Sequence, residues 1–397
     1  ACKVIRQGHG YPSVFNPDVY VTELLRQGKS LKDAREGGCS GCIEVGAFGK
    51  EAFLLTGYLN VPKVLEITLN NGVDPVTGKR SYCIIQAEDE LAAIGMVLGA
   101  NWNGARSFTS TSGPGISLMS EFIGLAYYAE IPAVIFNVQR TGPSTGMPTR
   151  TQQCDIIRCA YASHGDSKHV LLVPANPAEC FYMSPQAIDL SERLQTPVMV
   201  MSDLDIGMND WMVPELEWDD KYVPDRGKVY NAEQLEEMDV FYRYLDVDGD
   251  GIPYRTLPGV HPKGAYFTRG SGHTKYGAYT ENSDDYQEVV DRLLVKWETA
   301  RSMVPEAEIQ YSKMNKAALL SYGSSDGACK EALDRLGHRH IGLNYCRVKA
   351  FPFSDAVRDF IDKHEVVYVV EQNRDAQMRS LLINDIGADQ GKLVPLL

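Results

Sequence analysis

The sequence predicts an α/β protein with two parallel-sheet domains joined by an irregular acidic segment. Short apolar runs alternate with helical stretches over residues 44–205 and again over residues 316–397. Such alternation is typical of parallel sheets covered by helices on both faces. Residues 206–315 lose that rhythm and are rich in Asp, Tyr, Pro and Gly, so we interpret them as a connecting segment. Residues 1–43 form an N-terminal extension to which the sequence assigns no role.

Each domain has its own predicted strands and helices. In the first domain, short buried strands are predicted at residues 82–86, 107–111, 133–138, 170–173 and 198–201. In the last domain, strands are predicted at residues 317–322, 341–345 and 366–370, with helices at 327–336 and 355–364. A longer helix at residues 284–301 is predicted to close the connecting segment.

Composition and charge disfavour several classes of function. The formal net charge is −13, which argues against a nucleic-acid partner because binding that backbone requires clustered Lys and Arg. No apolar run approaches the roughly 18 residues that cross a bilayer, and no charged-then-apolar leader opens the chain at Ala1. The nine cysteines are scattered, as is usual in a reducing compartment. We therefore expect a cytoplasmic protein with neither nucleic-acid nor membrane partners.

An acidic cluster follows the first predicted strand. Residues 86–90 carry three acids and lead into an apolar helical stretch. Acids in the first turn of a helix offset its macrodipole, which is worth roughly 0.3–1 kcal/mol each. A structural and a functional interpretation of Glu88, Asp89 and Glu90 therefore both stay open on these residues alone.

Two further loops follow predicted strands. Residues 109–117 form a glycine-rich turn before a helix, and such turns let backbone N–H groups approach an anion or a cofactor. The turn matches neither a GxxxxGK[ST] loop nor a GxGxxG fingerprint. Arg140 opens the loop after the next strand, where it could hold a carboxylate bidentately. A solvated loop arginine is the alternative interpretation.

A third cluster places Asp246, Asp248 and Asp250 at the spacing of a calcium-type loop. An EF-hand also needs a glutamate at its twelfth position, where Leu257 stands. A metal cation held by these carboxylates is one interpretation, and a tight acidic surface turn is the favoured one.

Five ordered blocks resemble the α subunits of 2-oxoacid:ferredoxin oxidoreductases, and among them the 2-oxoglutarate type. The blocks are QAEDE at residues 86–90, TSTSGPG at 109–115, VQR-GPSTG-PT at 138–149, YFTRG at 266–270 and VEQN at 370–373. They span about residues 80–390 in the order found in that family. The resemblance implies a thiamine pyrimidine-binding domain at residues 44–205 and a transketolase C-terminal-like domain at residues 316–397.

The resemblance also implies roles for residues around the cofactor. Glu90 would be the catalytic carboxyl group that hydrogen-bonds N1′ of the thiamine pyrimidine, with Glu88 as the second choice. Gly113 would lie against the same cofactor.

Substrate contacts follow from the same comparison of motifs. Arg140 would hold the C1 carboxylate of a 2-oxoacid, and Thr111 and Ser112 would line the pocket. The family carries a YPITP motif whose threonine lies near the substrate. The nearest match here, at residues 58–62, puts Val61 at that place. Valine cannot donate a hydrogen bond, so this is a departure from the family pattern.

The implied cofactors require a partner chain. Thiamine diphosphate would be shared with a β subunit, which would carry Mg²⁺ and a [4Fe-4S] cluster. Residues 249–251 supply the GDG half of a thiamine-diphosphate metal motif, but no Asn-Asn pair follows them. Coenzyme A is the expected co-substrate and ferredoxin the electron partner. We expect an αβ pair that dimerises to (αβ)2. A coenzyme-A-binding γ unit of the family, if present, would be a separate chain or domain.

The predicted reaction is oxidative decarboxylation of a 2-oxoacid with coenzyme A to acyl-CoA, carbon dioxide and reduced ferredoxin, or its reverse. The resemblance favours 2-oxoglutarate and succinyl-CoA, with pyruvate or a broad range of 2-oxoacids as the alternative. A nicotinamide-dependent dehydrogenase is disfavoured by the missing GxGxxG. A non-catalytic scaffold for a redox partner is a different class, and it would tolerate the loss of Glu90 and Arg140.

Overall fold

The structure, a computed structural model, describes residues 2–5, 45–48, 82–219, 221–312 and 316–397. The strands are β1 (Cys2–Ile5), β2 (Val45–Phe48), β3 (Tyr82–Ile85), β4 (Arg106–Thr111), β5 (Ala133–Gln139), β6 (Val170–Leu172), β7 (Pro197–Asp203), β8 (Trp211–Pro214), β9 (Glu308–Gln310), β10 (Ala317–Tyr322), β11 (Asn344–Val348), β12 (Ala350–Phe351), β13 (Val366–Val370) and β14 (Leu393–Leu396).

The helices are α1 (Glu90–Trp102), α2 (Gly113–Leu118), α3 (Ser120–Tyr128), α4 (Ile156–Ala160), α5 (Pro177–Leu194), α6 (Leu204–Met208), α7 (Ala232–Glu237), α8 (Ser283–Arg301), α9 (Ser325–Gly337), α10 (Asp355–Asp362) and α11 (Gln377–Ile386). In the described part of the chain, none of them is long and apolar enough to span a membrane.

The larger sheet has the strand order β12-β6-β7-β5-β4-β2-β3. Its centre is parallel, with Phe108 of β4 opposite Val134 of β5 and Val170 of β6 opposite Val198 of β7. Every residue of β4, β5 and β7 is buried. Continuous burial is expected where helices cover both faces of a sheet. The predicted α/β fold class is confirmed.

Two strands run against the parallel direction of this sheet, which the sequence did not indicate. β2 pairs antiparallel with both β3 and β4. β12, from the C-terminal part of the chain, pairs antiparallel with β6, and Ala350 lies opposite Leu172. The C-terminal region therefore extends the first sheet as well as forming its own.

The smaller sheet has the order β14-β13-β10-β11-β9. β10 is parallel to β11 and β13, while β9 pairs antiparallel with β11 although it lies in the predicted connecting segment. β11 begins at Asn344, so the predicted strand at residues 341–345 was wrong at its start. Ile341 is 48% exposed and belongs to the preceding loop. The predicted domain boundaries stay a prediction.

Polar side chains fix the start of the helices that follow strands β3 and β7. Asp89 accepts a hydrogen bond from the backbone N–H of Ala92 at 2.7 Å and caps α1. Asp203 accepts one from the backbone N–H of Asp205 at 3.0 Å and caps α6. Such caps satisfy otherwise unpaired N–H groups. The local sequence therefore determines where the chain turns from strand to helix.

Buried ion pairs hold helices to the amino edge of the larger sheet, by which we mean the residues at the amino ends of its parallel strands. Glu130 lies just before β5, and its Oε2 accepts from Arg292 Nη1 at 3.1 Å and from Lys296 Nζ at 2.6 Å. Burial alone would raise the pKa of Glu130, but Arg292 and Lys296 outweigh it and hold that pKa well below its usual range. Both cations come from α8, so they fasten the connecting segment to the sheet.

A second buried cluster lies at the same edge. Arg106, the first residue of β4, donates to Glu192 Oε2 at 2.6 Å and to Asp189 Oδ1 at 2.7 Å. Glu192 Oε1 also lies 2.9 Å from Arg255 Nη2 of the connecting segment. Glu192 thus pairs with both Arg106 and Arg255 within the chain.

Candidate functional site

Glu90, Ser112 and Arg140 lie along the carboxyl edge of the larger sheet, which we define as the residues that follow β3, β4, β5 and β7. β4, β5 and β7 are parallel. β3 points the same way, because β2 is antiparallel to both β3 and β4. Glu90, Ser112 and Arg140 therefore share one edge. Open parallel sheets bind ligands at this edge.

Glu90 is the first residue of α1 and is partly buried. No described residue forms an ion pair or hydrogen bond with its carboxylate. A Cβ added at Gly115 would lie 2.8 Å from Glu90 Cγ and 1.8 Å from Thr111 Oγ1. Glycine is therefore required where α2 passes α1, and Glu90 packs directly against the turn after β4.

The turn after β4 is packed tightly from the other side as well. Thr111 is buried, and Ser112 occupies the N-cap position of α2 without capping it through its side chain. A Cβ added at Gly113 would lie 2.6 Å from Asp155 Oδ1. The predicted residues Thr111, Ser112 and Gly113 thus lie between Glu90 and a buried carboxyl group, and the Ser112 hydroxyl is not used to cap its own helix.

Arg140 directly follows the last residue of β5 and is partly buried. Its Nε is buried and has no hydrogen-bond partner among the described residues. The loop beyond it closes on itself, because Thr141 N donates to Arg150 O at 2.9 Å. The guanidinium therefore does not hold this loop, and at a ligand-binding edge it is suited to a carboxylate.

Asp155 is a residue of this edge that the sequence did not single out. Its side chain is buried, and Oδ2 accepts a hydrogen bond from Asn137 Nδ2 at 3.2 Å. Burial raises the pKa of Asp155, while the amide of Asn137, the thiol of Cys154 and the charge of Arg140 oppose the rise. No local pattern marks Asp155, because only the return of the loop after Arg140 brings it to the sheet.

The C-terminal domain reaches the same edge through a polar network. Asp203 Oδ2 accepts from Gln153 Nε2 at 3.3 Å and from Ser324 Oγ at 2.6 Å. Asn373 Nδ2 donates to Gln153 O at 2.9 Å, and Gln153 N donates to Gln372 O at 3.1 Å. The VEQN block therefore lies at the junction of the two sheets, and its amides contact the segment that carries Asp155.

One other predicted residue stands apart from the group at this edge. Glu88 is exposed in the turn before α1, and no described residue pairs with its carboxylate. Val61 lies outside the described residues. Its predicted substrate contact therefore stays a prediction.

The acidic turn of Asp246, Asp248 and Asp250 lies elsewhere, beside α8. Their carboxylate oxygens lie within 4.8 Å of one another. Lys228 Nζ is 2.6 Å from Asp248 Oδ1 and 2.7 Å from Asp250 Oδ1. Asp246 accepts the backbone N–H of Gly251 at 2.8 Å. A metal ion would compete with the Lys228 ammonium here, and the metal site stays a prediction.

Two family models match the chain. Residues 71–248 match the pyruvate flavodoxin/ferredoxin oxidoreductase, thiamine diphosphate-binding family. Residues 1–93 match the pyruvate formate lyase-like family. Val61 lies in the second match and ahead of the first, so its proposed equivalence to the threonine of YPITP stays a prediction.

Curated relatives cover most of the chain. The α subunit of 2-oxoacid:ferredoxin oxidoreductase 2 from Aeropyrum pernix is 34% identical over 77% of this chain and 47% of its own length. The 2-oxoglutarate synthase subunit KorA of Archaeoglobus fulgidus is 31% identical over 83% of this chain and 85% of its own length. The chain thus spans about half the length of the longer relatives and most of the shorter ones.

A solved structure of the same kind of enzyme also resembles this chain. The 2-oxoglutarate:ferredoxin oxidoreductase from Magnetococcus marinus, with 2-oxoglutarate, coenzyme A and succinyl-CoA bound, aligns with a TM-score of 0.72 and 28% identity. The alignment covers 79% of this chain and 53% of that one. With these relatives and the geometry of the carboxyl edge, the chain belongs to the α-subunit family of 2-oxoacid:ferredoxin oxidoreductases.

Proposed function

We propose that the chain is the α subunit of a thiamine-diphosphate-dependent enzyme that decarboxylates a 2-oxoacid oxidatively. Coenzyme A would take up the acyl group, ferredoxin would accept the electrons, and the reaction could also run toward carboxylation. The observation that carries the proposal is that Glu90 and Arg140, one carboxylate and one guanidinium, lie on the same sheet edge without partners among the described residues. Unpaired charges at such an edge are candidates for ligand binding.

The residues at this edge fit a thiamine pyrimidine. Gly115 leaves no room for a side chain beside Glu90 and Thr111, so α2 approaches α1 closely. The Glu90 carboxylate lies at the first turn of α1, partly open to a ligand. Bound thiamine diphosphate would supply the carbanion chemistry, which belongs to the cofactor.

The chain's own residues would orient the reactants. Glu90 would hold a proton in a hydrogen bond to N1′ of the pyrimidine, which is a general acid–base role. Arg140 would bind the C1 carboxylate of the 2-oxoacid through two parallel N–H···O bonds. Ser112 and Thr111 would line the pocket between them. We also propose Gly113 as a close approach of backbone to cofactor, with Glu88 as the second choice for the catalytic carboxyl group.

The preferred substrate is 2-oxoglutarate, giving succinyl-CoA. Relatives such as KorA of Archaeoglobus fulgidus and KorA of Methanothermobacter thermautotrophicus are named 2-oxoglutarate synthase subunits. The solved relative from Magnetococcus marinus has 2-oxoglutarate bound. Pyruvate or a broad range of 2-oxoacids is the second candidate, since the Aeropyrum pernix relative is named only for 2-oxoacids.

The proposal requires partners. A β subunit would complete the diphosphate site with Mg²⁺ and carry a [4Fe-4S] cluster, in an (αβ)2 assembly, and ferredoxin would dock on the complex. A coenzyme-A-binding γ unit would be a separate chain or domain. The α-subunit names of the relatives support a partner subunit. We propose a cytoplasmic location because the nine cysteines are scattered, as is usual in a reducing compartment.

An activity assay on the purified complex tests the proposal. Coenzyme-A-dependent reduction of a viologen dye would be followed with 2-oxoglutarate and with pyruvate, for wild type and Glu90→Gln. We expect turnover of 2-oxoglutarate by the wild type and a loss of about 100-fold or more in Glu90→Gln, the usual scale of general acid–base roles.

The matched control is Glu88→Gln, which removes a neighbouring exposed carboxylate and should retain turnover. Unchanged turnover in Glu90→Gln together with loss in Glu88→Gln would reassign the catalytic carboxyl group. A wild-type complex that turns over no 2-oxoacid would contradict the proposal and favour the non-catalytic scaffold.

A further inference from the structure

Asp155 uses its carboxylate in an unusual way for a residue at its position. It occupies the N-cap position of α4, where an aspartate ordinarily accepts a hydrogen bond from its own helix. Here the side chain makes no capping bond. Its oxygens point to the carboxyl edge instead, where Oδ2 accepts from Asn137 Nδ2 at 3.2 Å and Oδ1 accepts from the Cys154 thiol at 3.6 Å. The helix start alone therefore does not account for this side chain.

The Asp155 side chain is buried beside the Asn137 amide, the Cys154 thiol and Gly113. The residue is only 9% exposed, and no described cation lies within ion-pair distance of it. A buried carboxyl group without a paired cation is costly. Its position therefore needs an explanation in terms of what it contacts.

Asp155 connects the ends of two neighbouring strands. Thr111 at the end of β4 lies opposite Asn137 of β5 in the parallel ladder. Asp155 accepts the Asn137 amide on one side and fills the space beside Gly113 on the other, where an added Cβ would lie 2.6 and 2.9 Å from its two oxygens. Asp155 therefore touches the Ser112–Gly113 turn and the strand that leads into Arg140.

The C-terminal domain holds the segment that carries Asp155. Gln377 Nε2 donates to Cys154 O at 2.7 Å, and Gln377 Oε1 accepts from Ile157 N at 3.1 Å. Asn373 Oδ1 in turn accepts from Gln377 N at 3.0 Å. The Gln377 side-chain amide therefore bonds the backbone on both sides of Asp155. The position of Asp155 thus depends on how the two sheets pack together.

We infer that Asp155 is a positioning residue of the site, which by its shape and hydrogen bonds holds the Ser112–Gly113 turn and the end of β5 so that Arg140 can bind a substrate carboxylate. Gln377 supports it from the C-terminal domain. The inference rests on the proposed function for the identity of that substrate. A misplacement of binding groups by about 1 Å can cost on the order of 100-fold in rate.

The test is steady-state kinetics of the αβ complex carrying Asp155→Ala or Asp155→Asn. Asp155→Ala empties the space beside Gly113 and removes the carboxylate that accepts from Asn137, so we expect KM for 2-oxoglutarate to rise about 10-fold or more, with kcat changed less. Asn has nearly the same shape and an acceptor oxygen, so Asp155→Asn should stay within about 3-fold of the wild type in KM. Asp355→Ala, which removes an exposed carboxylate, is the control.

Gly113→Ala approaches the same contact from the other side and serves if Asp155→Ala does not fold. Its methyl group would meet the Asp155 carboxylate, so KM should rise in this variant. Where Asp155→Ala folds, the double variant has space for the added methyl group, and its change in KM should be smaller than the product of the two single changes, as is usual for groups in contact. Gln377→Ala should raise KM in the same direction by a smaller factor, with the exposed Gln390→Ala as control.

Two outcomes would overturn the inference. Wild-type KM in Asp155→Ala would show that the contact does not position the site. An equal loss in Asp155→Asn and Asp155→Ala would show that the charge, and not the shape, is needed. Failure of the proposed function is distinguishable, because the wild-type complex would then turn over no 2-oxoacid at all.

Discussion

The two edges of the larger sheet treat charge in opposite ways. At the amino edge, Glu130 is paired with Arg292 and Lys296, and Arg106 is paired with Glu192, all within the chain. Burial lowers the pKa of Lys296 to about 8, although the Glu130 carboxylate opposes this. These charges are buried and compensated, so the chain uses them to hold its own elements together.

The charges of the carboxyl edge are left without such compensation. Glu90 and Arg140 have no ion-pair partners among the described residues, and Asp155 accepts bonds from an amide and a thiol only. Burial of a charge therefore does not by itself mark a functional site. A missing internal partner, at the edge where parallel strands end, is the more informative feature.

Arg292→Ala removes one of the two cations paired with Glu130 at the amino edge, and it should give the largest change in stability. Removing one partner of a buried ion pair typically costs about 3–5 kcal/mol, and Lys296, which remains beside Glu130, should keep the loss at the lower end of that range. We expect a loss of that size in the free energy of unfolding, measured by urea denaturation of the complex. The kcat/KM of the folded enzyme should stay near that of the wild type.

The matched control is Arg335→Ala, which removes an exposed arginine paired with Glu331 one turn away. Exposed helical pairs are worth only about 0.3–0.5 kcal/mol. Wild-type stability of Arg292→Ala would contradict a structural role for the amino edge.

Arg140→Ala, at the carboxyl edge, should weaken substrate binding and leave stability nearly unchanged, the opposite of Arg292→Ala. Hydrogen bonds to charged groups are worth about 1.5–3 kcal/mol, so KM for the 2-oxoacid should rise roughly 10- to 100-fold. The melting temperature should hardly change, because Arg140 Nε has no partner among the described residues. Arg150→Ala, an exposed arginine of the same loop, is the control and should leave both quantities unchanged. A fall in stability without a change in KM would assign Arg140 to the fold.

The two buried carboxyl groups should affect the pH dependence of stability in opposite directions, because the pKa of Glu130 is lowered and the pKa of Asp155 is raised. The pKa of Glu130 lies below its ordinary value of 4.5, so its contribution is present above that pH and is lost as the pH falls. A single group changes the free energy of unfolding by at most about 1.4 kcal/mol per pH unit. Glu130→Gln should therefore flatten the acid limb of the curve.

Asp155 should act in the other direction and by less. Its pKa is raised above the ordinary 3.8, so the folded state holds the proton more tightly and stability falls as the pH rises through that window. Asp155→Asn should remove this fall. Urea unfolding between about pH 3 and pH 6 would measure both slopes. If Glu130→Gln and Asp155→Asn changed the slope of stability against pH in the same direction relative to the wild type, the contrast between the two edges would be contradicted.

Much of the fold could be predicted from local patterns. The five strands predicted in the first domain lie within two residues of β3, β4, β5, β6 and β7. These runs are apolar and bounded by small or polar residues, which is the signal of a buried strand. Ser112 and Arg140 immediately follow such strands, and Glu90 begins the helix after β3, but their roles could be named only from the resemblance of the motifs.

Other elements depend on contacts that the local sequence does not contain. The short strands β9 and β12 add to sheets formed mainly by other parts of the chain. A pairing of that kind is chosen by the neighbouring strand and not by the composition of the short segment itself. The sequence accordingly indicated neither strand.

The sequence by itself determined the α/β class, the order of the strands along the chain and the edge at which Glu90 and Arg140 lie, because burial period and helix caps are local properties. Only the tertiary structure decided which charges are paired. Glu130 and Arg292 are far apart in sequence, as are Asp155 and Gly113, and they meet only when the connecting segment and the returning loop pack on the sheet. Compensation of a buried charge depends on such long-range approach, since it requires a partner within a few ångströms.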